Sequence, residues 1–278
     1  MKSAQKDECV EFIPEDAFDL PRTFECGQCF RWNADENGVY TGVAFGRAAK
    51  IRQEGEKFII SGSAQDFEDI WRGYFDLDRN YAKIRQGLCI DNYMRSASEF
   101  GAGIRLLKQD KWEALCSFII SQCNNIPRIK KIVETLCRTF GDEISFDGET
   151  YYSFPSPERV ASLTVEDLSP LRCGYRAPYI IGAAQAVASG AMDLEAIAKG
   201  TPEEASKALK TLNGVGDKVA NCVVLFGLQM FNAFPIDVWM KKALAKHYGK
   251  GFDPSVFGEY AGLAQQYMFY YARSGEDY

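Results

Sequence analysis

The chain is poor in histidine and has no paired metal-ligand motif. His247 is the single histidine among 278 residues, which argues against histidine-rich metal centres and against most Ser-His-Asp hydrolase sites. Cys26 and Cys29 form one CxxC pair, but neither a second CxxC nor an HxxxH accompanies it, so the pair only weakly supports a metal site. We therefore expect no metal ion and no other cofactor.

The chain also lacks long apolar runs, and its opening segment does not have the pattern expected of a secretory signal. No hydrophobic stretch reaches the roughly 20 residues that a membrane-spanning helix needs, and the opening segment is polar and acidic. Nine cysteines, an odd number scattered along the chain, do not indicate a disulfide framework. We expect a cytoplasmic protein without a membrane partner, associated with the nucleoid if the cell is bacterial.

An excess of positive charge is missing as well. The formal net charge is −6, with 32 basic and 38 acidic residues, which counts against nucleic-acid binding. Basic residues nevertheless gather at 128–131, 172–176 and 241–250, and local patches can oppose the net charge. A basic cluster alone is more often a solvated helix face than a phosphate site. Whether it indicates DNA binding therefore depends on the residues beside it.

The hydrophobic pattern changes from β to helical along the chain. Short apolar runs with Gly-containing turns predict an antiparallel meander early in the chain, and helical spacing dominates from about residue 80. We predict an α+β protein, mostly helical. The predicted strands are Val39–Phe45, Ala48–Gln53 and Lys57–Ser61. The predicted helices are Gln65–Phe75, Lys111–Ser121, Pro127–Phe140, Pro157–Leu163, Val165–Arg172, Ala177–Ser189, Pro202–Leu212 and 217–228.

The segment Leu212-Asn-Gly-Val-Gly-Asp-Lys218 separates two helical patterns. The triplet Gly214, Val215 and Gly216 permits a tight turn and leaves backbone N–H groups at the start of the next helix. Such a helix start binds phosphate through these donors and the helix dipole. We therefore predict a phosphate-binding helix-hairpin-helix motif at about 207–228, although a plain turn between two helices fits the same pattern.

Lys218 lies in the first turn of the helix that follows. The positive end of the helix dipole disfavours a charged lysine there, and only the neutral amine is a nucleophile. Asp217 is predicted to cap this helix. Asp237, after Pro235, is predicted to open the next helix and could lie close to Lys218. An exposed lysine and an ordinary N-capping aspartate remain the simpler alternative.

Several motifs in register give the chain a family resemblance. GQCFRW (27–32), SFIISQCNNIPRI (117–129), CGYRAPYI (173–180), LNGVGDKVANC (212–222), FPIDVW (234–239) and YAGLAQQYMF (260–269) occur in the family order. They resemble the helix-hairpin-helix DNA glycosylases, and among these the 8-oxoguanine DNA glycosylases. The resemblance covers nearly the whole chain and implies a twisted antiparallel sheet domain, residues 1–100, packed on two helical subdomains within residues 101–278.

The resemblance also implies a reaction. The target nucleotide flips out of the duplex into a pocket, and Lys218 attacks the sugar C1′ to displace the oxidised base. The Schiff base that results permits β-elimination, a lyase step. Asp237 stabilises the developing positive charge on the sugar and assists proton transfers.

The resemblance assigns two further groups of residues. Gln265 and Phe269, an i,i+4 pair, face the base: Gln265 bonds its Watson–Crick edge and Phe269 stacks on one side. Cys222 lies near the other side, and the carbonyl of Gly27 accepts from the N7–H that guanine lacks. On the opposite strand Asn124 fills the gap and Tyr175 wedges the stack. Arg128 and Arg176 read the cytosine.

The expected partner is therefore double-stranded DNA containing 8-oxoguanine opposite cytosine, bound by a monomer. Two departures from the family pattern bear on the opposite strand and on DNA affinity: Cys123 stands where Asn is common, and Trp239 where a phosphate-contacting His is common. No cysteine follows Cys222, so an iron–sulfur cluster found in some relatives has no ligands here.

Two alternative functions remain. A monofunctional glycosylase for alkylated bases would share the hairpin and Asp237 but activate water, and Lys218 argues against it. A non-catalytic module would use the hairpin only to grip DNA phosphates.

Overall fold

The computed structural model describes residues 8–275. Near the N-terminus lies an antiparallel sheet of five strands in the order β1-β5-β4-β3-β2, and a separate two-stranded hairpin, β6-β7, comes later. The strands are β1 Cys9–Phe12, β2 Asn33–Ala34, β3 Tyr40–Ala44, β4 Arg47–Glu54, β5 Lys57–Ser61, β6 Glu143–Phe146 and β7 Glu149–Tyr152.

The three central strands of the meander were predicted, and the others were not. Strand β1 joins the sheet through β5, with Val10 opposite Ile60, so its pairing depends on a contact fifty residues away in sequence. The β6-β7 hairpin did have a local signal. Asp147 and Gly148 both adopt positive φ, 52° and 75°, which is the Asp-Gly preference of a tight hairpin turn.

The described chain also contains fourteen α-helical segments, which turns, loops and short 3₁₀ segments connect. They are α1 Leu20–Phe24, α2 Ala64–Asp66, α3 Arg72–Tyr74, α4 Tyr81–Leu88, α5 Asn92–Phe100, α6 Lys111–Ile120, α7 Ile126–Phe140, α8 Pro157–Ala161, α9 Ala177–Ala188, α10 Leu194–Ile197, α11 Pro202–Leu209, α12 Asp217–Phe226, α13 Val238–His247 and α14 Ala261–Ser274. A π-helical turn, Phe67–Trp71, joins α2 to α3.

One predicted helix is wrong. Residues 165–172 form turns that end in a short 3₁₀ segment, Ser169–Leu171. Pro170 has no N–H to donate to a helix, and Arg172 adopts a left-handed conformation with φ 49°. The apolar spacing in this stretch instead buries Leu168 and Leu171 from the turns.

The interior is divided between two hydrophobic cores. The sheet core lies mainly between Phe18 and Phe75 and includes Trp32, which stacks on Phe24 with ring centroids 4.5 Å apart. The helical core begins with residues such as Cys26 and continues to Met268. Burying one large apolar side chain contributes about 1.5–3 kcal/mol, so both cores contribute to the stability of the fold.

Helix α14 connects the parts of the molecule that form the site. Its residues from Ala261 to Met268 are all buried, and it packs on α5 and α13. The side chain of Gln266 reaches the N-terminal region, where its amide donates to the carbonyl of Cys26 at 3.0 Å. No helix within residues 8–275 is long and apolar enough to cross a membrane.

Candidate active site

The predicted hairpin lies between α11 and α12. Gly214 has φ 80°, and a Cβ there would stand 2.2 Å from the Tyr179 ring, so the turn needs glycine. Val215 is buried beneath the turn. Gly216 is the N-cap of α12 and supplies no side-chain acceptor. This leaves the first-turn N–H groups of α12 without a capping side chain, as an anion-binding helix start requires.

The predicted capping role of Asp217 is wrong. Asp217 is the first residue inside α12, and its side chain is 82% exposed. The carboxylate accepts a hydrogen bond from the ammonium of Lys210 at 2.8 Å, which lowers the pKa of Asp217. Because Gly216 occupies the cap position, Asp217 instead links the start of α12 to Lys210, which directly follows α11.

Lys218 points into the protein and is partly buried. Its Nζ donates to the Ser121 hydroxyl at 3.2 Å and lies 5.7 Å from the centre of the Phe118 ring. The Ser121 hydroxyl donates in turn to the carbonyl of Phe118 at 2.8 Å, which fixes its orientation. Cys222, one turn further along α12, is buried, and burial raises the pKa of its thiol although Lys218 opposes the shift.

Asp237 is the N-cap of α13, and its Oδ1 accepts from the backbone N–H of Met240 at 2.9 Å. The capping alternative is thus correct for this residue. Asp237 nevertheless lines the same cavity as Lys218, which is the proximity that the sequence suggested. The buried Pro235 shapes the connection that returns the chain to the start of α12.

This cavity has a volume of about 50 Å³ and is lined by all six residues predicted for catalysis and for the base pocket. Those residues are Gly27, Lys218, Cys222, Asp237, Gln265 and Phe269. Five more were not predicted: Cys26, Phe118, Phe226, Pro235 and Gln266. Gln265 is 4% exposed, and its Oε1 has no hydrogen-bond partner among the described residues. An unpaired buried acceptor is costly, so this amide is suited to a ligand.

Gly27 approaches the cavity from the loop after α1. It has φ 86°, and a Cβ there would meet Ile126 at 3.5 Å and Phe269 at 3.7 Å. Both cysteines of the CxxC pair, Cys26 and Cys29, are buried beside it, and burial raises the pKa of Cys26 to about 11. Their thiols donate to backbone carbonyls, and residues 8–275 contain no cluster of three or more potential metal ligands.

The residues predicted for the opposite strand form a second group, around the loop between α6 and α7. Tyr175 is 52% exposed. The amide of Asn124 donates to the carbonyl of Ile120 at 3.2 Å. Arg128 is exposed and donates to the carbonyl of Arg172 at 3.3 Å.

Arg176 differs from this group because it is buried, with 3% of its surface exposed. Its guanidinium donates to the carbonyls of Gln122, Cys123 and Cys173 and lies 4.5 Å from the Tyr175 ring. In this conformation Arg176 holds the α6–α7 loop, in which Cys123 has a positive φ of 46°.

Exposed apolar residues flank Asp237 in the chain. Ile236, Val238 and Trp239 are 39%, 66% and 38% exposed. Lys242, in the next turn of α13, places its Nζ 5.4 Å from the Trp239 ring centre. A cation and an aromatic ring thus lie together near the start of the helix that Asp237 caps.

Two family profiles match consecutive parts of the chain. Residues 12–115 match the N-terminal domain of 8-oxoguanine DNA glycosylase, and residues 116–255 match the HhH-GPD superfamily of base excision DNA repair proteins. The N-glycosylase/DNA lyase of Saccharomyces cerevisiae is 34% identical over 255 residues, which cover 82% of this chain and 68% of the yeast protein.

Solved structures resemble the fold over almost its whole length. MBOgg1 in complex with a low-affinity DNA ligand is 43% identical, with a TM-score of 0.92 and 98% of each chain covered. The Clostridium acetobutylicum 8-oxoguanine glycosylase/lyase, in complex with double-stranded DNA containing cytosine opposite 8-oxoguanine, is 36% identical with a TM-score of 0.88. That match covers 97% of this chain and 99% of the clostridial one.

Proposed function

Because the chain belongs to the 8-oxoguanine DNA glycosylases of the HhH-GPD superfamily, we propose that Lys218 and Asp237 excise 8-oxoguanine from duplex DNA and cleave the resulting abasic site. The reaction class is that of a bifunctional DNA N-glycosylase and lyase. The observation that carries the assignment of residues is the shared cavity, in which Lys218, Asp237 and the buried amide of Gln265 converge.

In the proposed first step the neutral amine of Lys218 attacks the sugar C1′. The new N–C1′ bond forms as the glycosidic bond breaks, and the departing base takes the bonding electrons and a proton. The resulting amine adduct opens to a Schiff base, and loss of a C2′ proton expels the 3′ phosphate. Ser121 supports the attack on C1′, because its hydroxyl lies 3.2 Å from the Nζ of Lys218 and orients the amine.

Asp237 acts on the positive charge that develops on the sugar ring. Its hydrogen bond from Met240 orients the carboxylate at the cavity wall. A fixed negative group there stabilises the transition state without reorganisation. Asp237 is also suited to move the proton between Lys218, the leaving base and C2′.

The base would lie between Phe269 and Cys222, with the unpaired Gln265 oxygen available to its Watson–Crick edge. The cavity of about 50 Å³ has room for only a few water molecules, since each needs roughly 10–15 Å³ of accessible cavity volume. Entry of the base therefore requires the cavity walls to move apart, and we propose that the half-buried Phe269 ring is one of the walls that move.

On the opposite strand we propose that Tyr175, Asn124 and Arg128 occupy the distorted duplex and favour cytosine. Arg176 would contribute only after it exchanges the carbonyls of Gln122 and Cys123 for a base edge. We further propose a monomer that divides near residue 100 into a sheet domain and a helical region.

Borohydride trapping on 8-oxoguanine duplexes tests the mechanism. We expect a covalent adduct with the wild-type protein and none with Lys218→Gln, together with base release by the wild type alone. Base release by the wild type without an adduct would favour the monofunctional alternative, and tight binding without base release the non-catalytic one. Excision opposite each of the four bases tests the preference for cytosine.

A further inference from the structure

Two buried glutamines hold the loop that presents Gly27. One is Gln28 in the loop itself, and the other is Gln266 in α14. Gln28 is fully buried and Gln266 is 1% exposed. Burying an amide is unfavourable unless its hydrogen-bonding groups are satisfied. Two buried glutamines that bond to the same loop therefore indicate that the fold fixes the position of this loop. Gln266 lines the catalytic cavity, but neither glutamine is among the residues proposed to contact the base.

Gln28 fixes the loop from the C-terminal side of Gly27. Its Nε2 donates to the carbonyls of Thr23 at 2.9 Å and Arg105 at 2.8 Å, and its Oε1 accepts from Leu107 N–H at 2.9 Å. Its backbone carbonyl accepts from the amide of Gln109 at 2.8 Å. Both the side chain and the backbone carbonyl of Gln28, the residue that follows Gly27, are therefore tied to the segment 105–109.

Gln266 fixes the loop from the other side. Its Nε2 donates to the carbonyl of Cys26 at 3.0 Å, which orients the Cys26–Gly27 peptide. Gln266 follows Gln265 in α14, so the helix that supplies the amide for the base also supplies the support for the loop. Further along α14, Arg273 donates to the carbonyl of Glu25 at 2.7 Å. None of these bonds uses the carbonyl of Gly27.

We propose that Gln266 and Gln28 are positioning residues that hold the Gly27 carbonyl at a fixed distance from α14, and so set how strongly the enzyme prefers 8-oxoguanine over guanine. The inference rests on the proposed function. A carbonyl discriminates a donor N7–H from a bare acceptor N7 only if the loop cannot retreat from the base. We call Gln28, Gln109 and Gln266 the brace. It prevents that retreat because it fixes the residues on both sides of Gly27, namely Cys26 and Gln28.

The test compares Gln266→Met with the wild type on three duplexes, containing 8-oxoguanine, guanine or a preformed abasic site opposite cytosine. Methionine keeps the length of the side chain but cannot donate to Cys26. We expect single-turnover release of 8-oxoguanine to fall about tenfold, which is the effect of one buried hydrogen bond. Strand cleavage at the abasic site should stay within about twofold, since no base has to be recognised there.

Binding gives the second measurement. In a Lys218→Gln background, which holds the reaction before chemistry, we expect Gln266→Met to reduce the preference for 8-oxoguanine over guanine duplexes about tenfold. Gln109 is a less buried member of the brace, so Gln109→Met should reduce this preference less. It replaces Gln266→Met in the experiment if that variant does not fold. Trp112→Phe is the control, because it removes a buried N–H bond to the carbonyl of Pro155 away from the cavity.

The results separate the two claims. If the wild type releases 8-oxoguanine and both Gln266→Met and Gln109→Met keep its preference for 8-oxoguanine over guanine, the brace is overturned and the proposed function is not. Equal losses of base release and abasic-site cleavage also overturn it, because they show general destabilisation. A wild-type protein that releases no 8-oxoguanine overturns the proposed function and the brace together.

Discussion

At the scale of single residues, two polar side chains support those that line the cavity: Ser121 contacts the Lys218 amine, and Gln266 holds the Cys26 carbonyl. Lys218 was marked by its place in the first turn of a helix, and Gln265 and Phe269 by their spacing and the motif around them. Ser121 and Gln266 carry no such local signal. Their partners lie 97 and 240 residues away in sequence, so only the folded chain shows what they contact.

Ser121 provides the first prediction. Ser121→Ala removes the hydroxyl that orients the Lys218 amine, and we expect the yield of trapped adduct and the rate of base release to fall about five- to tenfold. Stability should change by about 1 kcal/mol or less. Single-turnover kinetics at saturating enzyme measure the effect.

Ser98→Ala is the matched control for Ser121→Ala. Ser98 is fully buried and its hydroxyl has no partner among the described residues, so its loss should leave catalysis unchanged. If Ser121→Ala reacts at the wild-type rate, the hydroxyl does not orient the amine and Phe118 with the α12 backbone must suffice.

At the scale of elements, turn chemistry decided which predictions held. The hairpin between α11 and α12 was predictable because its glycines are a local signal, and Gly214 indeed has a positive φ. The helix predicted over 165–172 was wrong because Pro170 has no N–H to donate to a helix, although the apolar spacing fits one. The β6-β7 hairpin was not predicted, although Asp147-Gly148 is a local signal for its turn.

The hairpin glycine provides the second prediction. Gly214→Ala places a methyl group 2.2 Å from the Tyr179 ring at a positive φ, and we expect it to destabilise the protein by about 2–4 kcal/mol and to weaken DNA binding at least tenfold. Gly190→Ala is the control. Its φ is 74° but nothing lies within 4 Å of the new Cβ, so it should cost about 1 kcal/mol without affecting DNA.

Denaturant unfolding measures the stability of Gly214→Ala and Gly190→Ala, and DNA titration measures their affinity for duplex DNA. A Gly214→Ala protein as stable as Gly190→Ala would show that the hairpin relaxes away from Tyr179. A protein that is destabilised but binds DNA normally would show that the hairpin does not contact phosphate.

The start of α13 provides the third prediction. Trp239 is the most exposed of the four tryptophans, since Trp32, Trp71 and Trp112 are buried. We expect duplex DNA to quench the protein's fluorescence through Trp239, and Trp239→Phe to remove most of the change. Trp239→Ala should weaken binding about three- to tenfold, because a stacking surface next to Lys242 is lost.

The apolar surface elsewhere provides the comparison for Trp239. Val256 is 54% exposed and lies in the 3₁₀ segment Pro254–Tyr260, outside every group of residues proposed to contact DNA, so Val256→Ala should bind DNA as the wild type does. Quenching that persists in Trp239→Phe would place the DNA away from the start of α13.

At the scale of the whole molecule, the fold class and the order of its parts could be predicted, because several motifs occur in register. The way in which the parts are joined could not. The sheet core and the helical core meet along a seam where Arg31, next to buried Trp32, reaches Glu113 in the first turn of α6 at 3.7 Å. Arg31 also donates to the carbonyl of Tyr152 at the end of β7. Such contacts between three distant segments leave no periodic trace in the sequence.

The seam makes stability depend on pH, which is the fourth prediction. Burial raises the pKa of Glu113 to about 7, although Arg31 opposes the shift. The folded protein therefore binds one more proton than the unfolded chain between the ordinary glutamate pKa of 4.5 and about 7. Stability from this group is fully present below 4.5 and is lost as the pH rises to about 7, by a few kcal/mol at most.

Glu113→Gln isolates this effect, because glutamine keeps the shape and cannot ionise. Relative to the wild type, the variant should gain free energy of unfolding between pH 5 and pH 8, and denaturant unfolding at both values measures the gain. Glu134→Gln, which breaks an exposed i,i+4 pair with Arg138, should change little at either pH. If Glu113→Gln instead loses stability as the pH rises, the ionised carboxylate is a net stabiliser of the seam. In that case the attraction of Arg31 outweighs the cost of burying the charge.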